Sequence, residues 1–499
     1  MRTSDGTVVF KEWLPDLPDI NNPGLTEALN VLPLNGVYKP YLAVLGNGDT
    51  LGSRPYGAIA ALNSSSAAYL YAATQTLLRE RSGTGWTTRS ATTLNTAADG
   101  YVSFIQFDDV VVETNYTDSP LCLTVGSAAN FATLATAGSA PKARCAGVVG
   151  RFLVLGDTDL AGATPNGIQW SAIDDPRNWP TPNSATALAV QAGEQFFGAQ
   201  WGPVTFISNG EQYGIVFQRQ AVSRMSYVGG DTVFQFDVIE RSRGALFPNA
   251  CVQIGRTVYF LSGDGFYVTD GIDVKPIGTN KVDNYFADTI DTQYKNRVRG
   301  AVDFANKCIY WIYPATGNTG GRPNRILIYN YEEGRWSRAV DETEAIISGL
   351  TLAITLDDLD AYFNSIDIAT PSFDSDNWAG GNNAMLAFDS SNKIGAFSAT
   401  SSSATIDGPE VELNPGGYSF VQGVKPLVTG TSPTFTTALG VRDSLGSSVS
   451  YGSATTATAR TGFSDFRSTA RYHRSRLVIT GSFKEAVGVE YQVTPAGAT

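Results

Sequence analysis

The feature that most constrains this chain is a repeat of about 45 residues that begins near residue 51. Each unit starts with a short apolar run, a polar turn and a second apolar run. The turns fall about 43, 42, 59, 46 and 51 residues apart, near Ser65, Asp108, Gly150, Asn209, Gly255 and Asn306. Most units continue with a second hairpin that ends on an aromatic or apolar residue, at Trp86, Phe131, Trp179, Val274 or Trp336.

Four strands in a unit of this length are typical of a β-propeller blade. One four-stranded sheet cannot bury both of its faces, whereas blades stacked around an axis cover one another. Six units are visible, so the sequence predicts an all-β fold built on a β-propeller of six blades and leaves a count of seven open. A series of β-sandwiches is the alternative.

The segments on either side of the repeat differ from it. Residues 1–50 include WLPDLPDINNPG, whose three prolines predict an extended N-terminal arm, because proline fixes φ and donates no backbone hydrogen bond. The propeller is assigned to residues 51–345, and a connector with one hairpin at AMLAFDSSNKIGAFS is assigned to residues 346–400. Alternating apolar and polar residues return in 401–499, where we predict a small antiparallel β-sandwich.

The arm is rich in apolar side chains that need a covering surface. We predict that a neighbouring subunit supplies this surface, with its own domain as the alternative. The residues predicted to make the contact are Trp13, Leu14, Pro15 and Pro18.

The net charge of −12 argues against a protein that reads nucleic acid, because binding to the phosphate backbone needs clustered Lys and Arg. It is compatible with a wall along which DNA slides, since an acidic surface repels phosphate. Three arginines of RSTARYHRSRLVIT lie close to its histidine, at Arg471, Arg474 and Arg476. We predict that they pair with acidic residues across a sheet or an interface.

The cysteines carry no zinc or redox signature. No two are closer than about 20 residues, which predicts buried free thiols and assembly in a reducing cytoplasm, for Cys122, Cys145, Cys251 and Cys308. The longest apolar stretch, near residues 345–356, is too short and too interrupted to span a bilayer, so no membrane insertion is expected.

Catalysis would need a convergent set of reactive groups. The one histidine, His473, has arginine neighbours and no orienting carboxylate, which argues against a Ser-His-Asp triad. A glycosidase would need a pair of carboxylates. Candidate pairs all lie in predicted turns or loops, where solvated carboxylates are the rule: Asp108 with Asp109, Asp174 with Asp175, Glu332 with Glu333, and Asp357 with Asp358.

Two acidic clusters could offer oxygen ligands to calcium. They are DTD, with Asp157 and Asp159, and DSDN, with Asp374, Asp376 and Asn377. Neither completes a twelve-residue calcium loop. The sequence therefore predicts a chain that is not an enzyme, with no catalytic residue, no cofactor and no metal site.

Several strings resemble the tail nozzle or hub proteins of short-tailed bacteriophages, also called packaged-DNA stabilisation proteins or tail tubular protein B-like proteins. They are WLPDLPDINNPGLTEALNVLPLNGVYKPY, RFLVLGD followed by IQWSAIDDPRNWP, SNGEQYGIVF, GDGFYVTDG and the ending RYHRSRLVITGSFKEAVGVEY. The resemblance spans most of the chain. The family offers no catalytic residues to carry over.

The resemblance implies a structural protein of the virion tail that is assembled in the host cytoplasm. Such proteins form a hexameric ring below the portal and adaptor, close the head after packaging and line the channel for DNA ejection. Tail fibres or spikes dock around the ring, and a needle or plug occupies the tip in some members. DNA passes through without sequence-specific binding. A propeller glycosidase and a glycan-binding tail protein are the alternatives.

Overall fold

Nearly every regular element of this protein is a β-strand. The structure is a computed structural model that describes residues 4–20, 22–159, 162–350, 383–431 and 433–497. Its helices are short: α1 (Ala185–Ala189), α2 (Asp283–Thr289) and the 3-10 turns Ala199–Trp201, Pro248–Ala250 and Thr292–Arg297. The predicted all-β propeller fold is confirmed.

The first strands come from the segment assigned to the arm. They are β1 (Ser4–Val9), β2 (Glu27–Leu29), β3 (Val31–Leu34), β4 (Val37–Pro40) and β5 (Leu42–Gly46). Asn35 and Gly36 both have positive φ, 56° and 75°, which makes the tight turn of the β3–β4 hairpin. Of the described residues in 1–50, those between β1 and β2 are arm-like, whereas the alternating apolar residues that follow pair with sheets elsewhere in the chain.

Blades one to three follow along the chain. Blade one is β6 (Gly57–Leu62), β7 (Ala68–Ala73), β8 (Leu78–Ser82) and β9 (Gly85–Thr88). Blade two is β10 (Ser103–Phe107), β11 (Val110–Thr114), β12 (Leu121–Thr124) and β13 (Ala132–Thr133). Next come β14 (Ala137–Gly138), β15 (Ala143–Val149), β16 (Phe152–Thr158), β17 (Thr164–Trp170), β18 (Asn178–Trp179) and β19 (Gly193–Phe196). Blade three is β15, β16, β17 and β19, and β14 pairs with β18.

Blades four to six have the same antiparallel order. Blade four is β20 (Val204–Ile207), β21 (Tyr213–Gln218), β22 (Val222–Gly229) and β23 (Val233–Glu240). Blade five is β24 (Val252–Ile254), β25 (Thr257–Leu261), β26 (Phe266–Thr269) and β27 (Val274–Pro276). Blade six is β28 (Arg299–Asp303), β29 (Cys308–Tyr313), β30 (Arg325–Asn330) and β31 (Arg335–Ala339).

The propeller has a seventh blade, one more than the count that the sequence favoured. It consists of β32 (Thr343–Leu350), β33 (Asn383–Asp389), β34 (Ile394–Ser401) and, as its fourth strand, β5 from the N-terminal segment. Gly46 lies opposite Gly395 in this pairing. The range 346–400, assigned to a connector, thus supplies blade strands, and the predicted AMLAFDSSNKIGAFS hairpin is β33 and β34.

Seven hydrophobic clusters hold the ring together, one between each pair of consecutive blades. The last of them closes the ring, with Phe388 and Ile394 of blade seven against Leu70 and Ala72 of blade one. The first strands of these two blades, β32 and β6, are also in contact. Stacking of the blades therefore buries the faces that a single sheet would leave exposed.

The C-terminal strands form a β-sandwich together with β1 to β4. They are β35 (Ala404–Asp407), β36 (Ser419–Thr429), β37 (Phe435–Arg442), β38 (Ser450–Tyr451), β39 (Thr455–Thr456), β40 (Ser464–Ala470), β41 (Tyr472–Ile479) and β42 (Glu485–Pro495). One sheet has the order β3-β4-β42-β36-β40, with β1 on β42. The facing sheet contains β2, β35, β41, β37, β38 and β39.

The propeller and the sandwich share a sheet. The short strand β2 pairs in parallel with β31 of blade six and antiparallel with β35 of the sandwich, which creates one ten-stranded sheet. Trp336 of blade six and Tyr491 of the sandwich belong to the same hydrophobic core. The two units are therefore joined through backbone hydrogen bonds and a common core.

Candidate functional site at the propeller axis

The seven first strands of the blades surround a narrow axial cavity of about 350 Å³. Each blade contributes to its wall, which mixes apolar side chains such as Ile59, Phe104 and Phe206 with polar ones such as Thr205 and Gln253. We call the end where the first strands begin the entry face, and the end where the first hairpin turns lie the turn face. The cavity is a candidate ligand site, because ligand sites are concave and the strands of all blades converge there.

Polar side chains at the ends of the first strands link blades two, four and five to the blades before them. The Gln253 amide donates to the Asn209 carbonyl oxygen at 2.7 Å and accepts from the Asn209 N–H at 2.8 Å. Gln106 makes the same pair of bonds to Leu62, at 2.6 and 3.1 Å. Asn209 accepts from the Val148 N–H at 2.9 Å. We call these contacts the interblade clamp.

Blade seven has a shorter version of the clamp. The Ser348 hydroxyl accepts a hydrogen bond from the Val302 N–H of blade six at 2.9 Å. Two of the clamp amides also donate to the hairpin turn of their own blade. Gln106 donates to the Asp108 carbonyl oxygen, and Gln253 donates to the Gly255 carbonyl oxygen. Asp108 and Gly255 both have positive φ. The clamp thus fixes the register between blades and the shape of the turn together.

A wider cavity of about 530 Å³ opens on the turn face. The turns of blades three to five line it, and its charged groups are Glu211 and Arg256. A single carboxylate does not make the acid–base pair that glycoside hydrolysis needs. The lining residues of the axial cavity include no carboxylate at all.

The axis also holds two thiols and a phenol. Cys145 and Cys251 line the cavity beside Tyr101. Burial raises the pKa of both thiols well above the ordinary range, and it raises the pKa of Tyr101 in the same way. These groups stay neutral at physiological pH, so they are weak nucleophiles and weak metal ligands. All four cysteines are free, and Cys122, Cys145 and Cys308 are buried as predicted, whereas Cys251 is partly exposed.

The predicted carboxylate pairs occupy structural positions. Asp174 pairs with Arg151, and Asp175 accepts from the Arg177 N–H at 3.0 Å. Glu332 binds Lys307 at 2.7 Å, and Glu333 lies 3.5 Å from Arg335. Asp108, next to Asp109, is in the hairpin turn of blade two. The fourth pair, Asp357 and Asp358, lies outside the described residues.

The candidate calcium ligands are also engaged within the fold. Asp157 pairs with Arg144 at 2.8 Å, and Asp159 accepts from the Lys142 N–H at 2.8 Å. The DSDN residues Asp374, Asp376 and Asn377 fall outside the part of the chain that the structure describes. Within that part, no group of three or more His, Cys, Asp and Glu side chains could hold a metal ion. No helix of the described residues is long and apolar enough to cross a membrane.

His473 is buried in the sandwich. Its Nδ1 lies 3.3 Å from the Ser419 hydroxyl, and its Nε2 is buried without a hydrogen-bond partner among the described residues. Burial lowers its pKa to about 4, so the ring is neutral at pH 7. A serine and a histidine are therefore adjacent, but the histidine is fully buried, with 0% exposure, and no substrate can reach it.

The arm lies against its own chain. The Trp13 ring is 1% exposed and packs edge-on against Tyr285 with 5.1 Å between ring centroids. Asp16 accepts from the N–H groups of Asn284 and Tyr285 at 2.8 Å, and Glu12 pairs with Lys281 at 2.6 Å. For Trp13 the covering surface is thus its own domain, the alternative that the sequence left open.

The other three arm residues are more accessible. Leu14 and Pro15 are half-buried, and Pro18 is exposed. Their contact with a neighbouring subunit stays a prediction.

The three C-terminal arginines each pair with a carboxylate of this chain. Arg471 lies 3.1 Å from Glu412, Arg474 lies 3.3 Å from Asp19 of the arm, and Arg476 lies 2.6 Å from Asp407. These pairs join neighbouring segments of the sandwich and tie the arm to it. A role at an interface between subunits stays a prediction.

No family model matches the chain, and no curated protein matches it. Among solved structures it is similar to the computationally designed Ika8 protein, with 9% identity and a TM-score of 0.37 over 71% of this chain and 98% of that one. It is also similar to the WD40 domain of Pan2 from Neurospora crassa, with 8% identity and a TM-score of 0.40 over 72% and 97% of the two chains. Because both scores are below 0.5, the propeller assignment rests on the seven blades themselves.

Proposed function

We propose that this chain is a structural subunit of a short-tailed bacteriophage tail. In this role it forms a ring below the portal and adaptor, closes the head after DNA packaging and lines the channel for DNA ejection. The subunit acts as a wall and a connector, without chemistry of its own. Fibres or spikes, and a needle or plug at the tip, are its proposed partners.

The observation that carries the proposal is the resemblance of the two ends of the chain to this family. The N-terminal string spans Trp13 to Tyr41 and contains β2, β3 and β4. The C-terminal string spans Arg471 to Tyr491 and contains most of β41 and β42. The two strings meet in the sandwich, where Tyr38 pairs with Ala486.

Rigidity of the subunit supports the same role. A ring around a pressurised channel must transmit load between its parts without bending. Here β2 continues blade six into the sandwich, and Arg338 of β31 donates from Nε and Nη2 to the two carboxylate oxygens of Glu27 in β2. Bidentate pairs of this kind fix orientation as well as distance. This pair fixes the orientation of β2 against blade six.

The turn face carries exposed apolar side chains that a neighbour could cover. Leu188 of α1 is 53% exposed, and Tyr227 and Val228 of β22 are 41% and 52% exposed. Tyr227 donates to the Gln191 side chain, which brings the two segments together. Cyclic rings need interfaces in which one patch meets a different patch of the next copy. This patch, on blades three and four, is our candidate for one side of that interface.

The number of copies in the assembled particle tests the proposal. We expect a ring of about six, the hexamer that the resemblance implies, in an end-on electron microscopy image or from the mass of the assembled tail. A trimer would contradict the ring and favour a receptor-binding tail protein. Release of reducing ends from host-surface glycan by the purified chain would contradict a role without chemistry.

A further inference from the structure

Three arginines gather at the entry face of the propeller, on the far side from the wide cavity. Arg54 precedes the first strand of blade one, and Arg297 and Arg299 lie at the start of the first strand of blade six. Each is partly exposed. We call them the arginine cluster.

Two of the three guanidinium groups contact the same residue. Arg299 donates to the Tyr56 carbonyl oxygen at 2.6 Å, and Arg54 stacks over the Tyr56 ring with its Cζ 3.9 Å from the centroid. The Arg54 side chain and the Tyr56 hydroxyl both donate to the Ala98 carbonyl, at 3.2 and 3.0 Å. The positions of Arg54 and Arg299 are therefore fixed by backbone groups and an aromatic ring, and neither is neutralised by these contacts.

The third arginine is held in a similar way. Arg297 donates to the Gly320 carbonyl at 2.7 Å and lies 5.2 Å from the Tyr294 ring centroid. No member of the arginine cluster forms an ion pair among residues 4–20, 22–159, 162–350, 383–431 and 433–497. Each guanidinium has five N–H donors, and the contacts above use one of them on each arginine.

The charges of the cluster act on one another. Burial and then the charge of Arg54 lower the pKa of Arg299 to about 10, and the same two causes lower the pKa of Arg297. Glu344 is the acidic group whose charge opposes this repulsion. Its carboxylate is already bound to Arg322 at 2.5 Å. The cluster thus keeps an excess of positive charge, although the chain has a net charge of −12.

Open space lies next to two of the three arginines. Arg299 lines the axial cavity of about 350 Å³. Arg297 lines a neighbouring cavity of about 230 Å³, together with Ala98, Asp99, Gln293, Tyr294 and Asn296. Asp99 is the acidic residue of that second cavity, so the side nearer the axis is the more favourable one for an anion.

We propose that the arginine cluster binds a phosphate oxyanion at the entry mouth of the propeller axis. Guanidinium groups present planar, forked donors that match phosphate oxygens, and they stay charged at physiological pH. A doubly charged oxyanion placed among Arg54, Arg297 and Arg299 would relieve their mutual repulsion. Free phosphate and the phosphate of a nucleic-acid strand share this chemistry. The inference rests on this chain alone and does not depend on the proposed function.

The test is isothermal titration calorimetry of the full chain with inorganic phosphate, at low salt in a buffer without phosphate. We expect saturable binding at one site per chain. Arg54→Gln and Arg297→Gln should each weaken it by about tenfold, since one charge-assisted contact is lost. Arg54→Lys should retain part of the affinity, because the charge remains. Thermal melting of each variant shows whether the fold is retained.

Arg256→Gln is the matched control, because Arg256 is an exposed arginine on the turn face and also forms no ion pair among the described residues. Its affinity for phosphate should equal that of the wild type. A parallel titration with a short single-stranded oligonucleotide identifies the source: binding of the oligonucleotide alone, lost in Arg54→Gln, assigns the site to nucleic acid. Absence of binding to both probes, or equal weakening by Arg256→Gln, overturns the proposal.

Discussion

The propeller and the sandwich differ in how far apart in the sequence their paired strands lie. In blades one to six, the four strands of each blade lie close together in the sequence. Neighbouring blades, which also follow one another in the sequence, are joined by hydrophobic clusters. The sandwich draws its strands from both ends of the chain: β1 pairs with β42, and β2 pairs with β35. The propeller is thus built mainly from contacts that are local in sequence, and the sandwich from contacts that are distant.

This difference has a physical consequence. Pairing between strands that are distant in the sequence must offset the entropy of closing a long loop. The sandwich therefore depends on its N-terminal strands more than a blade depends on any other blade. Blade seven is intermediate, since its outer strand β5 also comes from the N-terminal segment. The arm between β1 and β2 links the two units, because it packs on the propeller while β1 and β2, at its two ends, pair with strands of the sandwich.

The largest effect that would sharpen this comparison is expected for Trp13→Ala. Trp13 is 1% exposed and packs on Tyr285, so its removal leaves a cavity and should cost about 3–5 kcal/mol of the free energy of unfolding. Hydrogen exchange should increase in the sandwich peptides before it increases in blades one to four. Trp86→Ala is the control. Trp86 is partly exposed and stacks on Phe388 of blade seven, so a smaller loss in the free energy of unfolding is expected. An equal increase in hydrogen exchange in the sandwich and in blades one to four would contradict this difference between the two units.

The two units should also respond to pH in opposite directions. In the propeller, Glu113 is 0% exposed, and neither carboxyl oxygen has a hydrogen-bond partner among the described residues. Burial raises its pKa from 4.5 to about 8. Between these values the folded chain holds a proton that the unfolded chain has released. Stability should therefore fall as pH rises through this window, by up to about 1.4 kcal/mol per pH unit.

Glu113→Gln tests this expectation, because the amide is uncharged at every pH. The variant should be more stable than the wild type at pH 8 and similar to it at pH 4, as measured by urea unfolding followed by tryptophan fluorescence. That signal reports mainly the propeller, because residues 401–499 contain no tryptophan and most tryptophans lie in the blades or their connections, at Trp86, Trp170, Trp179, Trp201, Trp311 and Trp336. Glu211→Gln, at an exposed position, should leave the pH profile unchanged. A parallel offset of the Glu113→Gln profile at all pH values would show that Glu113 is charged in the fold.

His473 gives the sandwich the reverse dependence. Burial lowers its pKa from 6.5 to about 4. Between these values the unfolded chain takes up a proton that the folded chain does not, so stability falls as pH decreases from 6.5 to 4. His473→Gln should flatten this part of the profile. Hydrogen exchange of the 401–499 peptides between pH 4 and 7, corrected for the intrinsic rate, measures it; an unchanged slope in the variant would assign the acid sensitivity to other groups.

The local contacts of the propeller are what the sequence could predict. An apolar run, a polar turn and a second apolar run specify a hairpin without reference to the rest of the chain. The turn near Gly255 joins β24 and β25, and the turn near Asp108 joins β10 and β11. The wide spacing from Gly150 to Asn209 reflects an insertion that contains β18 and α1.

The missed features are those that depend on distant pairing. Nothing in the sequence near Leu45 shows that β5 completes a blade whose other strands begin at Thr343. A search along the chain for units therefore finds six blades where there are seven. The prolines at Pro15 and Pro18 correctly signal an irregular segment, but proline content cannot show which surface covers the nearby Trp13.

The interblade clamp was missed for a different reason, since a signal for it exists. Gln106 and Gln253 each stand two residues before a turn residue of positive φ. An amide at this position can reach both the turn and the preceding blade. The equivalent residue in blade seven is a serine, Ser348, which hides the pattern from a search for identical residues.

The smallest expected effect concerns this clamp, and it tests whether the propeller is held by polar contacts or by its hydrophobic clusters. Gln253→Ala removes three hydrogen bonds, two to Asn209 and one to Gly255, at a partly exposed site. Because water replaces part of what is lost, the free energy of unfolding should fall by only about 1 kcal/mol. Urea unfolding measures it, and Gln220→Ala in an exposed loop of blade four should have no effect. A loss as large as that expected for Trp13→Ala would mean that the clamp, rather than the apolar stacking, holds neighbouring blades together.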